Sequence, residues 1–304
     1  VAALQGPPGT GKTMTVAYAV LARAYARMAD GERFRGLVVG PSNRSVHAVL
    51  EDVDQAVHHW DLHADDGAMD ASLNDLESSR AINRKIELPD EEFRRTTWVN
   101  YQDDEDDDLD DIEEMLDVPD PEDDQSTLGP WGTGRGEGIL IFATVTGAYQ
   151  VVKKVFDDVP RPCFDLVAID EASMLPVPQM LVPGSSTVAS AQLLVSGDHR
   201  QMPPVQQHAW DREDRRIIEE VAPHLSTMDF FRLFTTKDSF GMAESPEEVD
   251  VPQFHPIPLD KLARTYRCAK TIAEFLRRLI YIQDNIGYYS AEEYDLATTL
   301  DPRA

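Results

Sequence analysis

The sequence has little cysteine and little lysine. Its two cysteines, Cys163 and Cys268, are far apart in the chain. Neither belongs to a Cys-x-x-Cys pair or a Cys/His cluster. Zinc-ligand spacing and a disulfide framework are therefore excluded, no structural metal is expected, and a reducing cytoplasm is the expected compartment. No run of about 18 apolar residues occurs, so no membrane span is expected. The opening Val1-Ala2-Ala3-Leu4-Gln5-Gly6 has no basic region and no long apolar stretch, so no secretory signal is expected there. Apolar residues make up 42% of the chain, enough to build a core and to exclude wholesale disorder.

Positive charge is the other shortage. The 304 residues carry 55 acidic and 28 basic side chains, a net charge of -27. Such a balance argues at first against a nucleic-acid-binding face. The charge is uneven, however. Asp103 to Asp124 holds 15 acids in 22 positions and no base, leaving 40 acids against 28 bases, a net of -12, in the other 282 positions. Arg outnumbers Lys 21 to 7, and Asp outnumbers Glu 34 to 21. Asp-rich, Lys-poor composition suits molar salt, where a Debye length of roughly 3 Å screens self-repulsion, so the chain reads as halophilic. In such a solvent counterion release adds little affinity, and a binder depends on hydrogen bonds and stacking instead.

The length is about two domains' worth. Residues 1–60 alternate strand and helix patterns: a short apolar run at Ala2 to Gln5, helical spacing over Thr13 to Met28, a buried strand at Gly36 to Gly40, and a helix at Asn43 to Val57. From about 61 to 137 the pattern fails. This stretch reads as an acidic, partly disordered insertion, with short helical pieces around Leu73 to Ile86 and Leu109 to Leu116. Alternation resumes with strands at Ile139 to Val145, Leu166 to Ile169 and Leu193 to Ser196. Helices are expected over Ala148 to Phe156, Arg212 to Val221, Met228 to Phe234 and Lys270 to Tyr281, and Leu259 starts a new segment. The fold class is α/β, a mostly parallel sheet with helices on both faces.

Gly6-Pro7-Pro8-Gly9-Thr10-Gly11-Lys12-Thr13 follows a strand and opens a helix. It matches the phosphate-loop pattern in full. Its glycines let successive N–H groups face phosphate oxygens, Lys12 neutralises phosphate charge, and Thr13 offers a hydroxyl to Mg²⁺. An apolar strand ends in Asp170-Glu171. There Asp170 is placed to hold Mg²⁺ and Glu171 to orient or deprotonate an attacking water. ATP and Mg²⁺ are thus the expected ligands.

With these motifs the chain resembles superfamily 1 nucleic-acid helicases, in the group that holds the nonsense-mediated-decay helicases, senataxin and the nuclease-helicases. Val38-Val39-Gly40-Pro41-Ser42-Asn43 is similar to motif Ia, and Ala143-Thr144-Val145-Thr146-Gly147-Ala148 to motif Ic. The resemblance implies that Pro41, Ser42, Asn43, Thr144 and Thr146 contact a single strand of DNA or RNA. Gly197-Asp198-His199-Arg200-Gln201-Met202-Pro203-Pro204-Val205 is similar to motif III, which implies that Gln201 senses the γ-phosphate. Thr265-Tyr266-Arg267 resembles motif IV, which implies that Arg267 reaches the γ-phosphate from a second domain. Thr265 stands where the group carries Gln, and Cys268 where it carries Met. The implied fold is RecA-like, with a first ATPase domain over residues 1–257 and the start of a truncated second over 258–304, in a monomer. The implied activity is ATP hydrolysis coupled to 5′-to-3′ translocation. Two other readings fit the phosphate loop: another P-loop ATPase of the AAA+ type, and a nucleotide-binding module without unwinding activity.

Overall fold

A computed structural model describes residues 1–63, 76–82, 96–100, 138–155, 162–205, 225–235 and 256–291. In chain order these form β1 (Ala2–Gln5), α1 (Lys12–Ala29), β2 (Phe34–Gly40), α2 (Asn43–His63), β3 (Leu76–Ile82), β4 (Thr96–Asn100), β5 (Gly138–Thr144), α3 (Val145–Val155), β6 (Phe164–Ile169), α4 (Val177–Ser185), β7 (Thr187–Gly197), α5 (Thr227–Arg232), β8 (Leu259–Lys261), β9 (Arg264–Thr265), α6 (Lys270–Leu279) and β10 (Tyr289–Ser290). All of the strand pairings described below are parallel, which is the α/β class expected. Two compact units are present. One comprises Val1–Thr15, Glu171–Pro178 and Leu194–Ala304, the other Val16–Asp170 and Gln179–Leu193.

In the unit that contains Val16–Asp170, strand order runs β4-β3-β5-β2-β6. Phe34 lies opposite Gly138 and Gly40 opposite Thr144, while Gly36 to Val39 pair with Leu166 to Ile169. The central strands are apolar nearly throughout because both faces are covered, and Ile139 to Ala143 and Val167 to Ile169 are fully buried. Helix α2 turns Val46, Val49, Leu50 and Val53 inward, spaced for one face. Two strands lie inside the stretch read as an insertion. Leu76–Ile82, within a segment expected to be helical, is β3. It pairs with β5 from Leu76 opposite Gly138, and with β4 from Ser78 opposite Thr96. The cause is tertiary pairing along an open sheet edge, which outweighs the weak local preference of Leu-Glu-Ser-Ser-Arg-Ala-Ile. The helix expected at Leu109 to Leu116, the acidic tract and the helix expected at Arg212 to Val221 lie outside the described residues.

In the other unit, β1 is flanked by β7, with Ala2 opposite Leu194 and Gln5 opposite Gly197, and by β8, with Ala3 opposite Leu259 and Gln5 opposite Lys261. Beyond β8, β9 and β10 pair with Arg264 opposite Tyr289. A small core of Ala273, Tyr281, Ile286 and Tyr288 seats α6 and the 3₁₀ turn Tyr281–Asp284 that follows it. Ser226 caps α5 by accepting the Asp229 N–H at 3.0 Å. Among the described residues no helix is long and apolar enough to cross a membrane.

Candidate nucleotide and strand site

The phosphate loop joins β1 to α1. Gly9 and Gly11 have φ of 72° and 81°, the left-handed conformation that turns consecutive N–H groups into a concave nest for an anion. The Lys12 ammonium folds back over this loop and donates to the Gly6 carbonyl at 2.8 Å. Thr10 Oγ1 bonds the Pro7 carbonyl at 2.8 Å, and Gly6 N–H reaches the Gly197 carbonyl at 3.2 Å, so the loop is pinned at several points. Lys12 is buried and Thr13 half-buried at the first turn of α1. Nest, helix N-terminus and buried ammonium fit a polyphosphate.

The motif IV segment lies directly on this loop. Thr265 Oγ1 donates to the Pro8 carbonyl at 3.0 Å, Tyr266 N–H to the Gly9 carbonyl at 2.8 Å, and the Tyr288 hydroxyl to the Pro8 carbonyl at 2.9 Å. A Cβ on Gly9 would come within 2.4 Å of Arg267 Cβ. The Arg267 side chain itself is exposed. Thr265 therefore replaces the expected Gln as a hydroxyl tie to the loop backbone. Burial and the hydrogen bond to Cys268 raise the Tyr288 phenol to about 12, so it is a donor at neutral pH.

Glu171 follows β6 in a left-handed conformation, φ 52° and ψ 39°. Such a backbone in a non-glycine residue is strained and concentrates at functional sites. The 3₁₀ turn Ala172–Met174 follows, packed so tightly on the end of β7 that a Cβ on Gly197 would meet Ser173 N at 3.1 Å. In motif III, the Gln201 amide donates from Nε2 to Asp198 Oδ2 at 3.0 Å, and Asp198 is fully buried.

In the Val16–Asp170 unit, Asp170 is 2% exposed and its N–H bonds the Val39 carbonyl at 2.9 Å. Burial, then the charges of Glu51 and Asp170, raise the Asp52 carboxyl on α2. Asp165, at the other end of β6, is structural: it takes the Arg35 N–H at 2.9 Å and an Arg27 ion pair at 3.3 Å. Pro41, Ser42 and Asn43 stand at the start of α2. Here the cap is Ser42, whose Oγ accepts the Ser45 N–H at 3.2 Å while Ser45 Oγ accepts the Ser42 N–H at 3.1 Å. Thr144 Oγ1 accepts the Gly147 N–H at 3.2 Å and caps α3, which begins at Val145, three residues earlier than expected. Thr146 is exposed in its first turn. Pro41, Ser42, Asn43, Thr144 and Thr146 thus cluster at two helix starts, the usual place for backbone contacts to phosphates.

Sequence reasoning missed the groups that hold motif III. Asp284 takes a bidentate pair from Arg200, Nε at 2.9 Å and NH2 at 2.8 Å. Gln5 Nε2 lies 2.8 Å from His199 Nδ1, and His199 Nε2 lies 3.2 Å from Asp284 Oδ1 without the alignment of a hydrogen bond. Lys261 Nζ donates to the Asp284 carbonyl at 2.6 Å. Burial pushes the Asp284 carboxyl up, but the Arg200 hydrogen bonds and the charges of His199, Arg200 and Arg232 together hold it below its ordinary value. Burial, and then Arg232, lower His199. No local signal marks Asp284, because its partners lie far away in the chain. Among the described residues no group of three or more His, Cys, Asp or Glu is placed to hold a metal ion.

Among curated proteins, none matches this chain. A solved structure that it resembles is that of a nuclease-deletion mutant of the Type ISP restriction-modification enzyme LlaGI in complex with a DNA substrate mimic, at 15% identity and a TM-score of 0.36. That likeness covers 68% of this chain, which spans 17% of the LlaGI chain. The family model of an AAA domain matches residues 1–207, a span that includes the phosphate loop, the Asp170-Glu171 pair and motif III. The chain therefore belongs to the AAA domain family.

Proposed function

We propose that this chain is the ATP-hydrolysing core of a nucleic-acid helicase of superfamily 1. Residues 1–257 form its first RecA-like domain and 258–304 the start of the second. The observation that carries the reading is the phosphate loop, whose Gly9 carbonyl accepts the N–H of Tyr266, the residue before Arg267, at 2.8 Å. Hydrolysis needs charge neutralised at the phosphates from more than one direction, and this contact supports Arg267 as the second cation beside Lys12.

Gly6 to Lys12 cradle the phosphates of ATP with backbone N–H groups, and the Lys12 ammonium exchanges the Gly6 carbonyl for phosphate oxygen. Thr13 and Asp170 would each offer an oxygen to Mg²⁺, which would supply charge neutralisation at the phosphates. Glu171 orients and deprotonates the attacking water. Gln201 and Arg267 register the γ-phosphate. Pro41, Ser42, Asn43, Thr144 and Thr146 hold the backbone of a single strand by hydrogen bonds rather than by bulk positive charge, in keeping with the acidic composition. Hydrolysis in this reading drives movement along that strand.

The test is ATP turnover with and without a single-stranded oligonucleotide. Lys12→Ala is expected to abolish hydrolysis, and parent-level turnover in that variant overturns the reading. Glu171→Gln is expected to retain ATP binding while hydrolysis stops; equal loss of both removes Glu171 from the water-orienting role.

A further inference from the structure

The turn that follows α6 reaches motif III at two points. The Tyr281 hydroxyl donates to Asp198 Oδ2 at 2.8 Å, the oxygen that also accepts Gln201 Nε2. Asp198 Oδ1 accepts the Arg200 backbone N–H at 3.1 Å, and the Asp198 carbonyl accepts the Gln201 N–H at 2.9 Å. A carboxylate only accepts, so the amide facing it must present its NH2 end. The Gln201 amide is thereby fixed one way round, with Oε1 and its second N–H left for other partners. Three residues beyond Tyr281, Asp284 grips the Arg200 guanidinium through both carboxylate oxygens. In a 3₁₀ turn, residues i and i+3 stand on one face, which is how Tyr281 and Asp284 both point at motif III. Tyr281 is 3% exposed and Asp284 8%, and the Tyr281 ring packs against Tyr288 at 5.1 Å between centroids.

We propose that the turn Tyr281–Asp284 positions the γ-phosphate-sensing glutamine: Tyr281 fixes the orientation of the Gln201 amide through Asp198, and Asp284 holds the motif III backbone through Arg200. This rests on the reading of Gln201 as a γ-phosphate sensor. Tyr281 and Asp284 touch no phosphate in this scheme and are positioning residues. The inference adds a route by which the segment carrying Arg267 sets the state of motif III, because both belong to the short stretch of chain around α6. Burial and then the Asp198 charge raise the Tyr281 phenol, so it stays a donor across the working pH range.

A tyrosine that merely filled the core would act on folding and on both nucleotides alike. The test is steady-state hydrolysis together with ATP and ADP affinities. Tyr281→Phe is expected to lower kcat about tenfold, the worth of one hydrogen bond to a charged group, while ADP affinity stays at the parent value. In a Gln201→Ala background the same change is expected to do nothing further, since the two residues act as one unit. Parent kcat in Tyr281→Phe, or a tenfold loss repeated undiminished in the Gln201→Ala background, overturns the inference. Should Tyr281→Phe fold poorly, Arg200→Lys breaks the bidentate grip from the exposed side. It is expected to reduce kcat with ADP affinity retained, and unchanged kcat counts against the Asp284 half. Lys12→Ala separates the two levels. Unimpaired turnover there removes the nucleotide reading and this inference with it, whereas a dead Lys12→Ala beside a parent-like Tyr281→Phe removes the inference alone.

Discussion

Among the described residues, three glycines with positive φ differ sharply in what surrounds them. Gly11 and Gly31 would meet nothing within 4 Å if given a Cβ, whereas Gly9 would meet Arg267 Cβ and Thr265 Oγ1 at 2.4 and 2.9 Å. Gly11→Ala therefore carries only the left-handed backbone cost, about 1 kcal/mol. Gly9→Ala adds overpacking against a backbone-anchored atom, for a total of about 3 kcal/mol. Urea unfolding of the two variants checks this, and equal losses would show that the Arg267 segment does not rest on Gly9 in solution. The phosphate-loop pattern can be read in the sequence because it is contiguous: Gly6 to Thr13 need no distant partner to declare themselves. Asp284 and Tyr281 act on motif III through partners more than 80 positions apart, and spacing along the chain carries no trace of them.

Elements were legible where pattern and packing agree. Helix α1 and strands β2, β5 and β6 lie where apolar spacing put them, though β7 runs from Thr187, well before the expected Leu193, and its first residues are too polar to read as a strand. Helix α4 was missed because Val-Pro-Gln-Met-Leu-Val-Pro-Gly-Ser reads as a loop; Pro178 falls in its first turn, where an N–H has no intrahelical partner, but Pro183 lies inside it and forgoes one helical bond. The 3₁₀ turn after α6 was read as the end of that helix. The meeting of this turn with motif III also has a pH signature. His199, held below its ordinary 6.5, binds its proton less readily in the folded chain than in the unfolded one. As pH falls through 6.5 the unfolded chain takes up the proton first, so stability present above 6.5 declines toward the lower folded value. Asp284, held below 3.8, gives stability that is complete above that pH and lost as acid reaches its folded value. The groups facing them are Gln5, Arg200, Arg232, Lys261 and Asp229. His199→Gln keeps an acceptor for Gln5 and is expected to flatten the urea midpoint between pH 6.5 and 5 while leaving the lower acid limb. An unaltered profile shows that His199 is not the group responsible.

At the scale of the molecule, charge decides the solvent in which these units hold together. A net of -27 repels itself in dilute buffer. The urea midpoint is expected to rise between 0.1 and about 2 M KCl as screening shortens to a few ångströms. Removing Asp103 to Asp124 takes away -15 of that charge, so the salt dependence is expected to weaken but persist on the remaining -12. A midpoint indifferent to salt in the parent contradicts the halophilic reading.

The pairing of β1 with β7 and β8, and of Pro8 and Gly9 with Thr265, Tyr266 and Tyr288, has a consequence in time. The phosphate loop leaves a ribosome 280 residues ahead of Tyr288, the last of its supports. At roughly 5–20 residues per second, the loop waits about a quarter of a minute to a minute for Tyr288. Until β7, Thr187–Gly197, is made, β1 has neither neighbour strand; β8 follows with Leu259–Lys261, and the Tyr288 tie to the loop comes last. ATP itself, plentiful in a cell, then meets a loop whose glycines are already written but whose geometry is not yet set, so nucleotide affinity should arrive abruptly, once Tyr288 has been made.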